Sequence, residues 1–115
     1  METWWVVCLC AEWCGVCREW RSIFDEAAAA HPDLRFAWID VEDEAHAMGD
    51  TDIETFPTIL IAHGDSPRFL GPVQPSLAQL ERLIASLTEN RSSTREIVTA
   101  VPLWARLRTA VLLNL

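Results

Sequence analysis

The sequence predicts an α/β protein with a mixed β-sheet and helices on both faces of the sheet. The chain opens with an apolar run, Trp4–Cys10, that passes directly into a stretch with helically spaced apolar residues, and the order of strand and helix then repeats. Two later apolar runs are separated by a short turn, residues 63–65. Helical crossovers join parallel strands and so short a turn joins antiparallel ones, so the sheet must contain both kinds of pairing.

The first strand and the first helix have the clearest signals. Residues 4–10 are rich in aromatic and β-branched side chains, as expected of a central strand that is covered on both faces. In residues 14–30 the larger apolar side chains recur every three or four positions, which is the spacing of a helix. Pro32 pushes the preceding residue, His31, out of helical conformations, so the helix should end there.

Five further elements follow along the chain. Their predicted ranges are 34–41 for a second strand, 42–49 for a short acidic helix closed by Gly49, 58–62 and 66–70 for two more strands, and 75–87 for a helix. We predict one domain over residues 1–88 and a C-terminal extension over residues 89–115. A polar linker over residues 88–94 leads into the extension, which has strand character at 96–101 and can start an amphipathic helix at Pro102. The apolar face of that helix would consist of Trp104, Leu107, Val111 and Leu115.

The motif that carries chemistry is a pair of cysteines, Cys14 and Cys17, placed where the first helix begins. A helix start presents unpaired backbone N–H groups and a partial positive charge, and both favour a thiolate over a thiol. The helical turn brings Cys17 within disulfide reach of Cys14. We therefore expect Cys14 to attack as the nucleophile and Cys17 to act as the resolving thiol.

The two other cysteines, Cys8 and Cys10, alternate on the first strand, so their side chains face the same side of the sheet. We expect both to be inert packing residues. An alternative places Cys8 beneath Cys17, with which it would form a second disulfide under oxidation. A further alternative is that all four cysteines hold zinc or an iron–sulfur cluster, but rigid strand positions that point into a core make poor tetrahedral ligands.

The net charge and the hydropathy of the chain exclude some classes of binding partner. The chain has seventeen acidic residues against nine basic ones and a formal net charge of −8, which argues against nucleic acid and anionic membranes as partners. The last apolar stretch, residues 110–113, is far too short to span a bilayer. The apolar start has no basic region before it, and cleaving it as a signal peptide would remove the cysteine motif, so we expect a cytoplasmic protein.

These residues together resemble a thioredoxin. The specific marks are residues 11–17 (AEWCGVC), residues 55–58 (TFPT) before a strand, and Gly71 before the next helix, and the resemblance covers about residues 3–88. It implies a thioredoxin fold in which the bond before Pro57 is cis, Pro57 faces the two sulfurs, and the backbone of Phe56 pairs with an extended substrate peptide. The residues that would line an apolar groove for that peptide are Trp13, Gly15, Val16, Phe56, Pro57 and Gly71.

The resemblance also implies an activity. It predicts a thiol–disulfide oxidoreductase that reduces protein disulfides through the Cys14 and Cys17 dithiol, with no metal or bound cofactor needed. Electrons would come from an NADPH-dependent thioredoxin reductase. The competing interpretation is a thioredoxin-like binding or assembly module with a non-catalytic CxxC motif, and a third is an oxidase or isomerase.

The sequence departs from the family pattern at four places. Val16 replaces the usual proline between the cysteines, which leaves the redox poise open. Cys8 stands where many thioredoxins have a buried aspartate, and Cys10 replaces a tryptophan. We expect the strand and helix that normally precede the first strand to be lacking, and we expect residues 95–115 to supply one strand and one helix in their place. The alternatives are a helix that packs on the body or on a dimer partner without a strand, or a disordered tail.

Overall fold

The computed structural model describes residues 3–51, 53–89, 95–110 and 112, and it forms one mixed four-stranded sheet with helices on both faces. The elements are β1 (Trp4–Cys10), α1 (Gly15–Ala30), β2 (Arg35–Asp40), α2 (Ala45–Met48), β3 (Thr58–His63), β4 (Ser66–Pro72), α3 (Leu77–Glu89) and α4 (Val101–Ala110). The strand order is β2-β1-β3-β4. β1 pairs in parallel with β2 and antiparallel with β3, and β4 returns antiparallel to β3, so the predicted mixed sheet is confirmed.

The side chains of β1 divide between two hydrophobic clusters because successive residues of a strand point to opposite faces. Cys8 and Cys10 lie on the face covered by α1 and α3, which we call the cysteine face. Val7 and Leu9 lie on the face covered by α2 and α4, which we call the α4 face. All four side chains are at most 1% exposed, so β1 is the central buried strand that its sequence predicts.

Helix α1 follows the predicted pattern. Its buried residues recur every three or four positions and are Cys17, Trp20, Phe24 and Ala27. The helix ends at His31, whose ring Nε2 lies 2.8 Å from a carboxylate oxygen of Glu81 on α3 and so joins the two helices of the cysteine face. Within the described ranges no helix is long and apolar enough to cross a membrane.

Helix α2 is shorter than the predicted range 42–49, because the acidic residues before it form a turn instead. In that turn the backbone N–H groups of Glu42 and Asp43 donate to Oδ1 of Asp40 at 2.8 and 3.2 Å. Gly49 closes the helix with a φ of 59°, a conformation that side-chain-bearing residues rarely adopt, as its sequence position predicts.

The C-terminal extension supplies the predicted helix but not the predicted strand. Residues Val98–Ala100 form a 3-10 turn, and a backbone hydrogen bond from Ile97 N–H to Pro67 O at 2.7 Å joins the extension to β4. The strand expectation for 96–101 is therefore wrong: the N–H of Ala100 donates back to Ile97 O and turns the chain away from the sheet edge. Of the predicted linker, residues 88 and 89 belong to α3 and residues 90–94 lie outside the described residues.

Helix α4 then crosses the sheet and completes the core of the α4 face. Leu103, Trp104 and Leu107 are at most 1% exposed, and Trp104 Nε1–H donates to the carbonyl of Gly64 at 2.8 Å. Two other predicted members of the apolar face of α4, Val111 and Leu115, lie outside the described residues.

Candidate dithiol site

Cys14 lies at the start of α1, as the sequence predicts. It is the N-cap residue, with extended backbone angles of −82° and 117°, and its carbonyl accepts the N–H of Arg18 at 3.2 Å. Its own N–H donates to Ala11 O at 3.0 Å, which fixes the turn between β1 and α1. Among the four cysteines, all of them described, Cys14 alone is partly exposed, so an external disulfide meets this sulfur first.

Cys17 is bonded to Cys10 rather than to Cys14. The Cα atoms of Cys10 and Cys17 are 5.9 Å apart, in the range that a disulfide requires, and Cys14 is a free thiol. We did not predict this pairing from the sequence, since we expected Cys10 to be an inert packing residue. The physical reason is the pleat: Cys10 is the last residue of β1 and points toward the helix that covers the cysteine face, where Cys17 is the first buried residue.

Cys8 lies deeper on the same face and is a free thiol. Its Sγ is 3.5 Å from Cys10 Sγ and accepts a hydrogen bond from Trp20 Nε1–H at 3.3 Å. Because burial disfavours the charged form, the pKa of the Cys8 thiol rises to about 12. The packing role that we expected of both strand cysteines therefore fits Cys8 and is wrong for Cys10. The alternative that paired Cys8 with Cys17 is wrong as well, because Cys10 is the strand cysteine that bonds to Cys17.

Three of the predicted groove residues lie close together. Trp13 is 62% exposed and meets the ring of Phe56 edge-on, with the ring centroids 5.6 Å apart. The peptide bond between Phe56 and Pro57 is cis, as the resemblance implies, and Pro57 is buried. Cys14 and Phe56 pack against the same hydrophobic cluster, so the aromatic pair and the exposed sulfur belong to one surface.

The remaining groove residues are more dispersed. Gly15 and Val16 are exposed on the first turn of α1, directly after Cys14. Gly71 lies in β4 opposite Ile59, and it lines a depression of about 330 Å³ together with Thr55. Their assignment to a substrate groove, like the catalytic assignment of Cys14 and Cys17, remains a prediction.

Two acidic residues that the sequence analysis did not single out hold this surface together. Oδ2 of Asp40, at the end of β2, accepts the backbone N–H of Glu12 at 2.8 Å and so ties the loop before Cys14 to the neighbouring strand. Oε1 of Glu42 accepts Trp13 Nε1–H at 2.8 Å and orients the exposed indole. The sequence does contain a signal for Asp40. It is an acidic residue at the C-terminal end of a strand that is predicted to run parallel to the strand before the cysteines.

A cavity of about 420 Å³ lies beside Cys17, and its lining carries charges of both signs. Arg18 and Arg21 contribute the positive charges, and the Arg21 guanidinium lies 4.6 Å from the ring centroid of Trp38. In the part of the chain that the structure describes, no group of three or more His, Cys, Asp or Glu side chains is arranged to hold a metal ion.

The fold and the site together define a class of protein: an α/β domain that presents a cysteine pair at the start of its first helix, beside a cis-proline loop. The family model for thioredoxin matches residues 1–86. The chain belongs to the thioredoxin family.

Two curated relatives agree with this assignment. Thioredoxin H2-1 of Oryza sativa subsp. japonica is 31% identical over 91 residues, which is 77% of this chain and 64% of that protein. A thioredoxin 2 of Streptomyces coelicolor is 34% identical over 62 residues, which is 54% of this chain and 46% of that protein. The chain thus spans about half to two thirds of the length of these relatives.

Solved thioredoxin structures share the fold. Fasciola hepatica thioredoxin superposes with a TM-score of 0.65 at 23% identity, covering 72% of this chain and 79% of that one. Oxidised mitochondrial thioredoxin 3 of Saccharomyces cerevisiae gives a TM-score of 0.65 at 22% identity, covering 76% and 81%. At this level of identity the similarity establishes the thioredoxin fold.

Proposed function

We propose that this chain is a thiol–disulfide oxidoreductase that reduces disulfides of other proteins, with Cys14 as the nucleophile and Cys17 as the resolving thiol. The observation that supports this most is the placement of Cys14. It is the N-cap of α1 and the partly exposed cysteine, and it lies beside the apolar surface of Trp13 and Phe56. Membership in the thioredoxin family supports the same class of reaction.

The first step is attack by Cys14 on a substrate disulfide. The N–H groups of the first helical turn have no partner within the helix, and together with the helix dipole they stabilise the thiolate of a residue at this position. An extended substrate segment would lie across Trp13, Phe56 and Pro57 and pair with the backbone of Phe56. The attack forms a mixed disulfide at Cys14 and releases the first substrate thiol.

The second step is resolution by Cys17, which requires a reduced chain in which the Cys10–Cys17 bond is open. Cys17 follows Cys14 by one helical turn and is only 1% exposed, so its thiolate reaches the mixed disulfide from inside the protein. It attacks Cys14 Sγ, releases the second substrate thiol and leaves the chain oxidised. Substrate gains two electrons and the chain loses two.

The turnover needs a dithiol donor to reduce the chain again. The family suggests thioredoxin reductase drawing on NADPH, and we propose it as the partner. A reducing compartment such as the cytoplasm fits this cycle, because four cysteines confined to residues 8–17 serve one local site rather than a framework of disulfides between distant segments. We propose neither nucleic acid nor a membrane as a partner, and no bound cofactor.

A second candidate function is a binding or assembly module with a non-catalytic CxxC motif. The pairing of Cys17 with Cys10 favours it, because Cys14 then has no partner thiol within its own motif. In this case the surface of Trp13 and Phe56 would bind a partner without exchange chemistry.

Reduction of insulin by dithiothreitol separates the two candidates. We expect the wild-type chain to accelerate the precipitation of insulin chains and Cys14→Ser to fall to the uncatalysed rate. Cys8→Ser is the matched control, since serine keeps an acceptor for Trp20 Nε1–H and Cys8 takes no part in the steps above. A folded wild-type chain that does not exceed the uncatalysed rate would contradict the proposed reductase activity and support the binding module.

A further inference from the structure

Three of the cysteines form a series from the surface to the core. Cys14 is partly exposed at the N-cap of α1, Cys17 lies one turn along the helix, and Cys10 lies at the end of β1 and is bonded to Cys17. Cys10 and Cys17 are each 1% exposed. Cys17 is therefore the neighbour of both other cysteines, and the observed disulfide is the inner of the two that Cys17 can form.

The inner disulfide has one route of exchange with the outside. Cys17 lines the cavity of about 420 Å³, but both cysteines of the pair are only 1% exposed, so a dissolved thiol or disulfide has almost no access to their sulfurs in the folded chain. Cys14 packs against the hydrophobic cluster that contains Cys10 and Cys17, and it is the cysteine that meets solvent. Oxidation and reduction of the inner pair must therefore pass through Cys14.

We propose that Cys14, Cys17 and Cys10 act as a three-cysteine relay, in which a disulfide made at Cys14–Cys17 is passed inward to Cys10–Cys17 and Cys14 is released as a free nucleophile. The relay extends the proposed function, because substrate exchange at Cys14 is what first oxidises the pair. It assigns Cys10 a role in the exchange, whereas the CxxC motif by itself contains only Cys14 and Cys17.

The inward step balances within the chain. Cys10 gives its proton to water and its thiolate attacks Cys17 Sγ; the Cys10–Cys17 bond forms and the Cys14–Cys17 bond breaks. Cys14 leaves with the electron pair as a thiolate. One disulfide replaces another, so the step has no net oxidation, and the oxidising equivalents are those that the substrate disulfide gave to the chain.

Burial favours the inner position for the disulfide. A disulfide is neutral and has no proton to lose, whereas a thiolate in an apolar core is penalised by desolvation. The inward transfer places the neutral disulfide among buried residues of the cysteine face and leaves the free thiol at the partly exposed helix start. The free Cys14 and bonded Cys17 of the structure correspond to this end state.

Cys8 is a neighbour of the relay and not a member of it. Its Sγ is 3.5 Å from Cys10 Sγ, and because Cys10 is bonded and has no hydrogen on sulfur, the S–H of Cys8 is the donor. The raised pKa of Cys8, about 12, keeps this thiol protonated and weakly nucleophilic at neutral pH. Cys8→Ser is therefore a matched control for Cys10→Ser.

Disulfide mapping of the wild-type chain tests the end state. The chain is oxidised with oxidised glutathione at neutral pH, quenched with acid, alkylated and cut by a protease specific for glutamate. Cleavage after Glu12 and Glu19 separates the strand cysteines from the helix cysteines, so a Cys10–Cys17 bond joins two peptides and a Cys14–Cys17 bond stays within residues 13–19. We expect joined peptides, with Cys14 carrying the alkyl group or glutathione. Finding Cys14–Cys17 as the end product, or Cys8 in the bond, overturns the relay.

Variants test the inward step. In oxidised Cys10→Ser the disulfide should remain at Cys14–Cys17, and alkylation of Cys14 by iodoacetamide should fall at least tenfold below that of oxidised wild type. Oxidised Cys8→Ser should keep the joined peptides and the reactive Cys14. Equal alkylation of oxidised Cys10→Ser and oxidised wild type would contradict the proposal.

Cys14→Ser tests the route. In this variant the inner pair has lost its contact with solvent, so its reduction by dithiothreitol and its oxidation by glutathione should each slow at least tenfold relative to Cys8→Ser. Equal rates would show that the inner pair exchanges without Cys14. Circular dichroism checks that each variant is folded, and the wild-type mapping decides the end state even if a variant is not.

These measurements use no protein substrate, so the relay and the proposed function can fail separately. Joined peptides without insulin reduction would contradict the proposed reductase activity and support the relay. Insulin reduction with Cys14–Cys17 as the mapped end product would support the reductase activity and contradict the relay.

Discussion

The two faces of the sheet are equally buried and chemically different. On the cysteine face, β1 contributes Cys8 and Cys10, and on the α4 face it contributes Val7 and Leu9, all at most 1% exposed. One face can change its covalent state, and the other can only pack. The alternation of a single strand separates the two roles.

The comparison teaches how an extension can be added without disturbing the chemistry. Helix α4 and the buried Trp104 cover the α4 face, while the four cysteines pack on the cysteine face. The sheet lies between them. We therefore expect changes on the α4 face to alter stability and leave the reactivity of Cys14 unchanged.

The largest expected effect comes from Trp104→Ala. The side chain is 0% exposed and its Nε1–H donates to Gly64 O, so truncation leaves a cavity and an unpaired carbonyl. We expect the free energy of unfolding, measured in urea, to fall by about 3–5 kcal/mol. The alkylation rate of Cys14 in the folded variant should match wild type. A loss below about 1 kcal/mol, or a tenfold change in Cys14 reactivity, would break the comparison between the faces.

The second prediction concerns the cysteine face, where the contribution of Cys8 to stability should depend on pH. Burial raises the pKa of Cys8 from 9.0 to about 12, so the unfolded chain loses this proton first as pH rises. The contribution of Cys8 to stability is complete below pH 9 and is lost between pH 9 and about 12. Within that window it should decrease by about 1.4 kcal/mol per pH unit.

The measurement is the urea stability of wild type and Cys8→Ser from pH 8 to 10.5, with Cys14 blocked by iodoacetamide in both. The wild-type curve should fall more steeply above pH 9. Parallel curves would show that the Cys8 thiol ionises in the folded chain as readily as in the unfolded one.

A smaller effect is expected at the contact between α4 and α2. Arg106 donates from Nε to Ala47 O at 2.8 Å and from Nη2 to Met48 O at 3.0 Å, and so satisfies the carbonyls at the end of α2. Its guanidinium fits because Gly49 has no Cβ; a Cβ there would lie 2.9 Å from Nη2. Arg106→Met should reduce the free energy of unfolding by about 1–3 kcal/mol, measured in urea.

The matched control is Arg108→Met on the same helix. Arg108 pairs with Asp65, whose side chain is 86% exposed, so solvent screens the pair and the loss should be below about 0.5 kcal/mol. Equal losses for the two arginines would show that the hydrogen bonds to α2 contribute nothing beyond a surface charge.

Most of the fold could be predicted because its signals are local. The apolar run of β1, the helical spacing around Trp20 and Phe24, and the glycine that ends α2 each act through neighbours in sequence. The expected strand at 96–101 failed because strand character alone does not provide a partner edge, and the chain turned at Val98–Ala100 instead.

The candidate site was predicted less completely. The sequence placed Cys14 at the start of a helix and Pro57 in a cis bond by resemblance, and both are observed. Cys10 was missed because its significance depends on which residue the pleat and the helix bring against Cys17. Asp40 was missed for a similar reason, since its partner Glu12 lies on a neighbouring strand's loop.

The sequence by itself determined the order of strands and helices and the position of Cys14 at the start of α1, because hydrophobic periodicity and helix-end signals depend on residues that are close in sequence. Only the tertiary structure decided that Cys17 bonds to Cys10 and that α4 covers the face away from the cysteines. Those outcomes depend on distances between elements, which sequence spacing does not contain.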